Sequence, residues 1–242
     1  MYSFFIDGID NKDNIVSIVE NDYNHIKNVL RMNIGDKIQI CDKKTGESYL
    51  AEIHSIDKEK VNCTIIKELD NNEPFLNITI FQGIPKADKM DYIVQKSTEL
   101  GAKKIVPVEM KYCVAKLNNP EKKIERWRKI AEASAKQCKR NIIPKIESAI
   151  DIRELIDEIK DYDLTIVAFE NEKEHTLKSI LDNNKDIKSI AIIIGPEGGI
   201  SPEEIELFMK NNVKIASLGN RILRTETAAI AILAMIMYEF EL

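Results

Sequence analysis

The chain has 242 residues, 44% hydrophobic and 31% charged, a composition that fits a folded globular protein and excludes disorder. A net charge of −5 argues against nucleic-acid binding through overall charge, so any anionic partner must meet a local basic patch. Four cysteines (41, 63, 113, 138) without C-x-x-C spacing and three scattered histidines (25, 54, 175) give no pattern for a metal site, and buried or idle thiols are expected.

The N-terminus, MYSFFIDGIDNKDN, lacks the basic start and apolar core of a signal peptide, so a cytoplasmic protein is expected. Residues 1–70 read as short β segments (YSFFI, NIVSIV, DKIQICD, ESYLAEIHSI, KVNCTIIKEL) with one short helix near 22–31, a small barrel or sandwich. DNNEP, residues 70–74, is polar and ends in proline, the best linker in the chain.

From residue 75 the pattern becomes α/β. Apolar strands are expected at 77–83, 104–109, 143–148, 163–169, 189–194 and 213–217, with helices between them, as in a parallel sheet covered on both faces. The helix over 120–140 carries eight basic residues against three acidic ones in 121–140, plus Trp127. That face is either simply solvated or an anion-binding surface, and Trp127 is either packing or a stacking platform. The last helix begins near Thr225; its apolar run from Ala228 to Tyr238 is too short to span a bilayer and apolar on more than one face, so either the domain core or a second subunit must cover it.

Two loops stand out. IIIGPEGGIS (192–201) reads as a buried strand, a glycine loop, and a helix with Ser201 as N-cap, Pro202 at its first position and Glu204 at its third. Three glycines in five residues are either a plain turn or a close approach to the backbone, and the place at a strand's carboxyl end, where ligands bind in open parallel sheets, favours the second. The next strand ends in SLGNRILRTET (217–227). A phosphate loop would need a lysine and a serine or threonine after the glycines, where Ile200 and Ser201 follow instead, and the dinucleotide fingerprint is absent. Two strand-end loops offering backbone groups and Ile222 and Leu223 suit a flat polar ring such as adenine.

Taken in order, HIKNVLRMNIGDKIQICD (25–42), GIPKADKMDYIVQKSTELGAKKIVPV, SAKQCKRNIIPKI, IIIGPEGGISPEEI and LGNRILRTETAAIAIL resemble the successive signatures of the RsmE family, 16S rRNA uridine-N3 methyltransferases of the SPOUT class. The resemblance spans almost the whole chain. It implies an N-terminal PUA-like β-barrel (1–70) that binds RNA and a knotted α/β methyltransferase domain (75–242) whose last segment is threaded into a trefoil knot. It further implies a homodimer, S-adenosyl-L-methionine as methyl donor, and 16S rRNA of the small ribosomal subunit as substrate.

Carried over by position, Gly195, Pro196, Glu197, Gly198, Gly199, Leu218, Gly219, Ile222, Leu223 and Thr227 at the start of the last helix line the cofactor site, with Phe169 and Glu170 completing it. Arg224 and Arg221 are the candidates for stabilising a developing anion or gripping a phosphate. Glu226 is either a base or the salt-bridge partner of one of these arginines. Lys86, Lys89, Arg140, His25 and Arg31 are the candidate RNA contacts; for the two lysines a solvated fate is the alternative, and for His25 a structural one. Residues 1–70 hold 13 acidic and 9 basic side chains, so RNA contact there must be local. Competing readings are a methyltransferase of the same class acting on another nucleoside, a non-catalytic RNA-binding or ribosome-assembly factor, and a mononucleotide hydrolase, against which the missing lysine speaks.

Overall fold

The computed structural model describes residues 1–9, 14–114, 117 and 119–241. Their contacts divide the chain into two compact units, Met1–Glu73 with Ala135–Ile143, and Pro74–Ser134 with Pro144–Leu242.

The first unit is built on one curled five-stranded sheet. Its strands are β1 (Ser3–Ile6), β2 (Ile15–Val19), β3 (Lys37–Asp42), β4 (Ser48–Ile56) and β5 (Lys60–Leu69), in the order β1-β3-β4-β5-β2, antiparallel except for β1 on β3. Alternation does the sorting: in β2, Val16 and Ile18 point inward while Ile15, Ser17 and Val19 face out. Phe4, Ile26, Ile38, Ile40, Ile53, Val61 and Cys63 complete the core. Two register shifts in the β4–β5 pairing bend the ladder. The expected helix over 22–31 is α1 (Glu20–Asn24) continued by a π-helical stretch, His25–Leu30, which Arg31 ends in left-handed backbone at φ 52°. Burial pushes the Cys41 and Cys63 thiols up to about 12, so both behave as small apolar side chains.

Arg140 belongs to this unit and is no exposed grip for phosphate, in contrast to the expectation from sequence. It is 5% exposed, and Glu73 takes its Nε and Nη2 while also accepting the backbone N–H groups of Asn141 (2.8 Å) and Ile142 (3.1 Å). A buried guanidinium needs a carboxylate partner, and the residue before Pro74 supplies it. This pairing fastens segment 140–142 to the end of the stretch read as a linker.

The second unit is a parallel sheet. Its strands are β6 (Asn77–Gly83), β7 (Lys104–Glu109), β8 (Lys145–Ile146), β9 (Ile150–Asp151), β10 (Leu164–Ala168), β11 (Ser189–Ile194) and β12 (Lys214–Ala216), ordered β12-β10-β11-β6-β7-β8 with β9 also on β7. The strand expected over 143–148 shrinks to Lys145–Ile146, because β7 is paired first by that piece and then by β9. Ile190, Ala191, Ile192, Ile193 and Ile194 of central β11 are all buried, as a sheet covered on both faces requires. Helices α2 (Lys89–Glu99), α3 (Pro120–Cys138, whose last turn belongs to the first unit), α4 (Ile152–Glu158), α5 (Leu177–Asp182), α6 (Pro202–Lys210) and α7 (Thr225–Phe240) complete the chain.

The chain leaves β6 toward β7 on one side and leaves β11 toward β12 on the other, so the carboxyl ends of β6 and β11 form a topological switch point. Helix α7 packs on α2 and α5, burying Ala229, Ile232, Leu233 and Ile236 while Met235 (44%) and Tyr238 (73%) remain exposed. The unit's own core therefore leaves part of this apolar helix uncovered. Among the described residues no helix is long and apolar enough to cross a membrane.

Candidate functional site

The loop after β11 is fixed by its own neighbours. Gly199 N–H closes a turn on Pro196 O at 3.0 Å, with Gly199 at φ +78°. Ser201 and Glu204 form the expected reciprocal cap of α6, with Ser201 N–H on Glu204 Oε2 at 2.9 Å and Glu204 N–H on Ser201 Oγ at 3.3 Å. Glu204 Oε1 also accepts Lys111 N–H at 2.8 Å. The close approach that the glycines require comes from protein: a Cβ on Gly195 would stand 2.7 Å from Ile200, one on Gly198 would meet Tyr112 Cβ and O at 2.8 Å, and one on Gly199 would meet Glu170 Oε1 at 2.9 Å. Their absence of side chains is first a packing requirement, within the loop at Gly195 and against other segments at Gly198 and Gly199.

Thr225, the first residue of α7, ties that helix to the loop. Its hydroxyl donates to Gly195 O at 2.7 Å and accepts from Gln82 Nε2 of β6 at 2.8 Å. Between these elements lies a cavity of about 330 Å³, within the range of about 300–1,000 Å³ usual for small-molecule sites. Ile194, Ile200, Ile222 and Leu223 give it apolar walls; Gly195, Pro196 and Gly199 give it backbone; Lys89, Glu170, Glu197, Arg224 and Thr225 give it polar groups. A smaller adjoining cavity is lined by Phe169, Leu218, Gly219 and Arg221, and the two share Ala168, Glu170, Leu223 and Ala228. The two loops read from sequence thus meet around one two-lobed space.

Two of the expected cofactor residues stand apart from it. Gly198 is packed under Tyr112, and Thr227 is exposed on α7 and lines neither lobe. Conversely, Ile194, Ala168 and Ala228 line the cavity without a chemical signature that sequence could flag.

The charged residues are arranged differently from expectation. Lys89 is turned into the cavity wall, its Nζ 2.9 Å from Glu197 Oε1 and 3.2 Å from Glu226 Oε2, so its charge is taken up by carboxylates and it is not a free RNA contact. Glu226 therefore pairs with a lysine, where an arginine was expected. The hydrogen bond to Glu197 holds the Lys89 ammonium above its ordinary value. Partial burial would raise Glu197, yet the Lys89 hydrogen bond and the backbone N–H groups of Glu197 and Lys86 outweigh it and leave the carboxyl below its ordinary value. Arg221 and Arg224 are exposed at the rim, one beside each lobe, and Lys86 is exposed nearby. His25, exposed in the first unit, stands edge-on to the Phe4 ring at 6.4 Å, and Arg31 is exposed on the same unit. Trp127 is packing: it is 4% exposed and its Nε1–H donates to Asp91 Oδ1 at 3.0 Å.

Residues 71–237 match the model of an RNA methyltransferase domain, and residues 20–66 that of an RNA methyltransferase PUA domain. The chain is 36% identical over 233 residues to the ribosomal RNA small subunit methyltransferase E of Bacillus subtilis, covering 93% of this chain and 91% of that protein. The chain belongs to the ribosomal RNA small subunit methyltransferase E family. Among solved structures, the family member from Neisseria gonorrhoeae bound to S-adenosyl methionine matches 99% of this chain and 98% of its own, with TM-score 0.90 and 30% identity. A Legionella pneumophila methyltransferase in complex with the cofactor SAM matches 98% and 97%, with TM-score 0.86 and 30% identity. Ribosomal RNA small subunit methyltransferase E proteins thus share the fold of this chain end to end, a SPOUT-class methyltransferase domain with a PUA domain.

Proposed function

We propose that this protein transfers the methyl group of S-adenosyl-L-methionine to N3 of a uridine in 16S rRNA of the small ribosomal subunit. The observation that carries the reading is the two-lobed cavity at the switch point, walled by the two loops that a family-wide resemblance assigns to the cofactor. The residues present fit that molecule: Ile194, Ile222 and Leu223 offer flat apolar surface for an adenine, the loop backbone offers hydrogen bonds, and Glu170 and Glu197 offer acceptors for hydroxyl or ammonium groups.

S-adenosylmethionine supplies an electrophilic methyl group on a sulfonium, which needs correct placement of the acceptor and no metal. The protein's further task is to make uridine N3 nucleophilic by removing its proton. Glu226, in the first turn of α7 with a buried Oε2, is the candidate acceptor of that proton. Arg224 and Arg221, exposed at the rim, are placed to stabilise the negative charge that then spreads over the uracil carbonyl oxygens, or to grip an adjoining phosphate.

In this reading, residues 1–70 form the RNA-binding PUA-like domain and residues 75–242 the methyltransferase domain. Exposed His25, Arg31 and Lys86 contribute RNA contacts, with the affinity falling steeply as salt rises. A second copy covers Met235 and Tyr238 of α7, giving a homodimer, and the ribosomal substrate places the work in the cytoplasm.

The test is methyl transfer from labelled S-adenosylmethionine to small subunits isolated from cells lacking the gene, followed by nucleoside analysis. 3-Methyluridine is the expected product. Another methylated nucleoside would overturn the acceptor, and cofactor binding without transfer would favour a binding factor.

A further inference from the structure

Lys89 stands at the first position of α2, against the positive end of the helix dipole, where a cation is unfavourable unless other charges compensate. Two do, and both come from distant parts of the chain: Glu197 in the loop between β11 and α6, and Glu226 in the first turn of α7. Glu197 also receives Lys86 N–H on its two oxygens at 3.1 and 3.3 Å. Between Lys86 and Lys89, Ala87 holds left-handed backbone at φ 53°, a conformation that a residue with a Cβ avoids without external restraint. One ammonium therefore gathers three segments.

The Glu226 contact has a second feature. Its Oε2 is buried, lines neither lobe of the cavity, and has Lys89 Nζ as its charged neighbour at 3.2 Å. A buried carboxylate oxygen needs a compensating partner, and Lys89 supplies it here, which fixes where the Glu226 carboxylate stands.

We propose that Lys89 is a positioning residue for methyl transfer: it draws the β6–α2 loop, the β11–α6 loop and the start of α7 into one wall of the cavity and holds the Glu226 carboxylate, the candidate proton acceptor, directly behind that wall. This rests on the reading of the cavity as a methyl-transfer site. It reassigns a lysine that the sequence offered to RNA phosphates, and it makes the Glu226 function depend on a residue outside its own helix.

The experiment uses the full chain with Lys89→Met, Lys89→Arg, Glu226→Gln and the Lys89→Met/Glu226→Gln double variant. In cofactor-free protein, exchange of the Lys86 amide hydrogen should quicken by roughly tenfold in Lys89→Met and return toward the wild-type rate in Lys89→Arg. In methyl transfer, Lys89→Met should lower kcat by about 100-fold and raise KM for the cofactor through the loosened Glu197 loop, while kcat should fall no further from Lys89→Met once Glu226 is glutamine. Additive losses in the double variant would overturn the dependence on Glu226, and unchanged Lys86 exchange would overturn the gathering role. Wild-type protein that transfers no methyl group would overturn the functional reading instead, while the exchange measurement, made without cofactor or RNA, would still support or overturn the gathering of the loops.

Discussion

The two loops that wall the cavity solve the same task in opposite ways. In the loop after β11, Gly195, Gly198 and Gly199 are each closed in by Ile200, Tyr112 or Glu170, and Ser201, Glu204 and Thr225 fix both ends by hydrogen bonds. In the loop after β12, Gly219 has open space where a Cβ would point, Ile222 is 84% exposed and Arg221 and Arg224 face outward. One loop is a finished surface, and the other is left open beside the cavity. The difference teaches that glycine is needed for two reasons here: absence of volume at Gly195 and Gly198, and positive φ at Gly219 (+113°), with Gly199 (+78°) needing both.

Gly198→Ala should break that contrast most severely. A methyl group 2.8 Å from Tyr112 Cβ and carbonyl oxygen must push backbone aside, so we expect a loss of about 1–3 kcal/mol in unfolding free energy and abolished cofactor binding, checked by denaturation and calorimetry.

The charge clamp on the first loop should come next, and its pH window follows from the signs. Glu197 is held below its ordinary value of 4.5, so its contribution is present above that value and fades as pH falls through the lowered folded-state pKa. Lys89 is held above 10.5, so its contribution is present below that value and fades as pH rises through the raised one. Cofactor affinity should therefore be flat between these limits and weaken on the acid side. Glu197→Gln should remove that acid limb, and an unchanged limb in titrations of both proteins would sink the assignment.

Substitution in the open loop should do less to the fold. Gly219→Ala meets no neighbour and carries only the backbone penalty, roughly 1 kcal/mol, visible as a small shift in Tm. Ile222→Ala should leave stability within about 0.5 kcal/mol, since the side chain is already exposed. It should nonetheless weaken S-adenosylmethionine several-fold in a binding titration, which would sharpen the view that this loop is completed by its ligand.

Much of the fold was legible in local pattern. Short apolar-rich stretches announced β6, β7 and β11 with their observed ends, and Ser201, Pro202 and Glu204 announced the start of α6 because cap chemistry is confined to four adjacent residues. The two-residue strand β9 was not legible, since Ile150–Asp151 has no period to read. Arg140 was misread for a related reason. A basic residue in a basic run looks exposed until Glu73, a residue of the presumed linker, is found beside it.

By itself the sequence determined the alternation of strands and helices, the position of both loops at strand ends, and the family to which their motifs belong, because each of these depends on residues close together along the chain. Only the tertiary structure decided that Gly198 is required by Tyr112, that Thr225 links Gln82 to Gly195, and that Lys89 serves Glu197 and Glu226. Those are pairings across long sequence separations, and at a charged residue the partner rather than the residue type sets whether the charge is spent on the fold or left for a ligand.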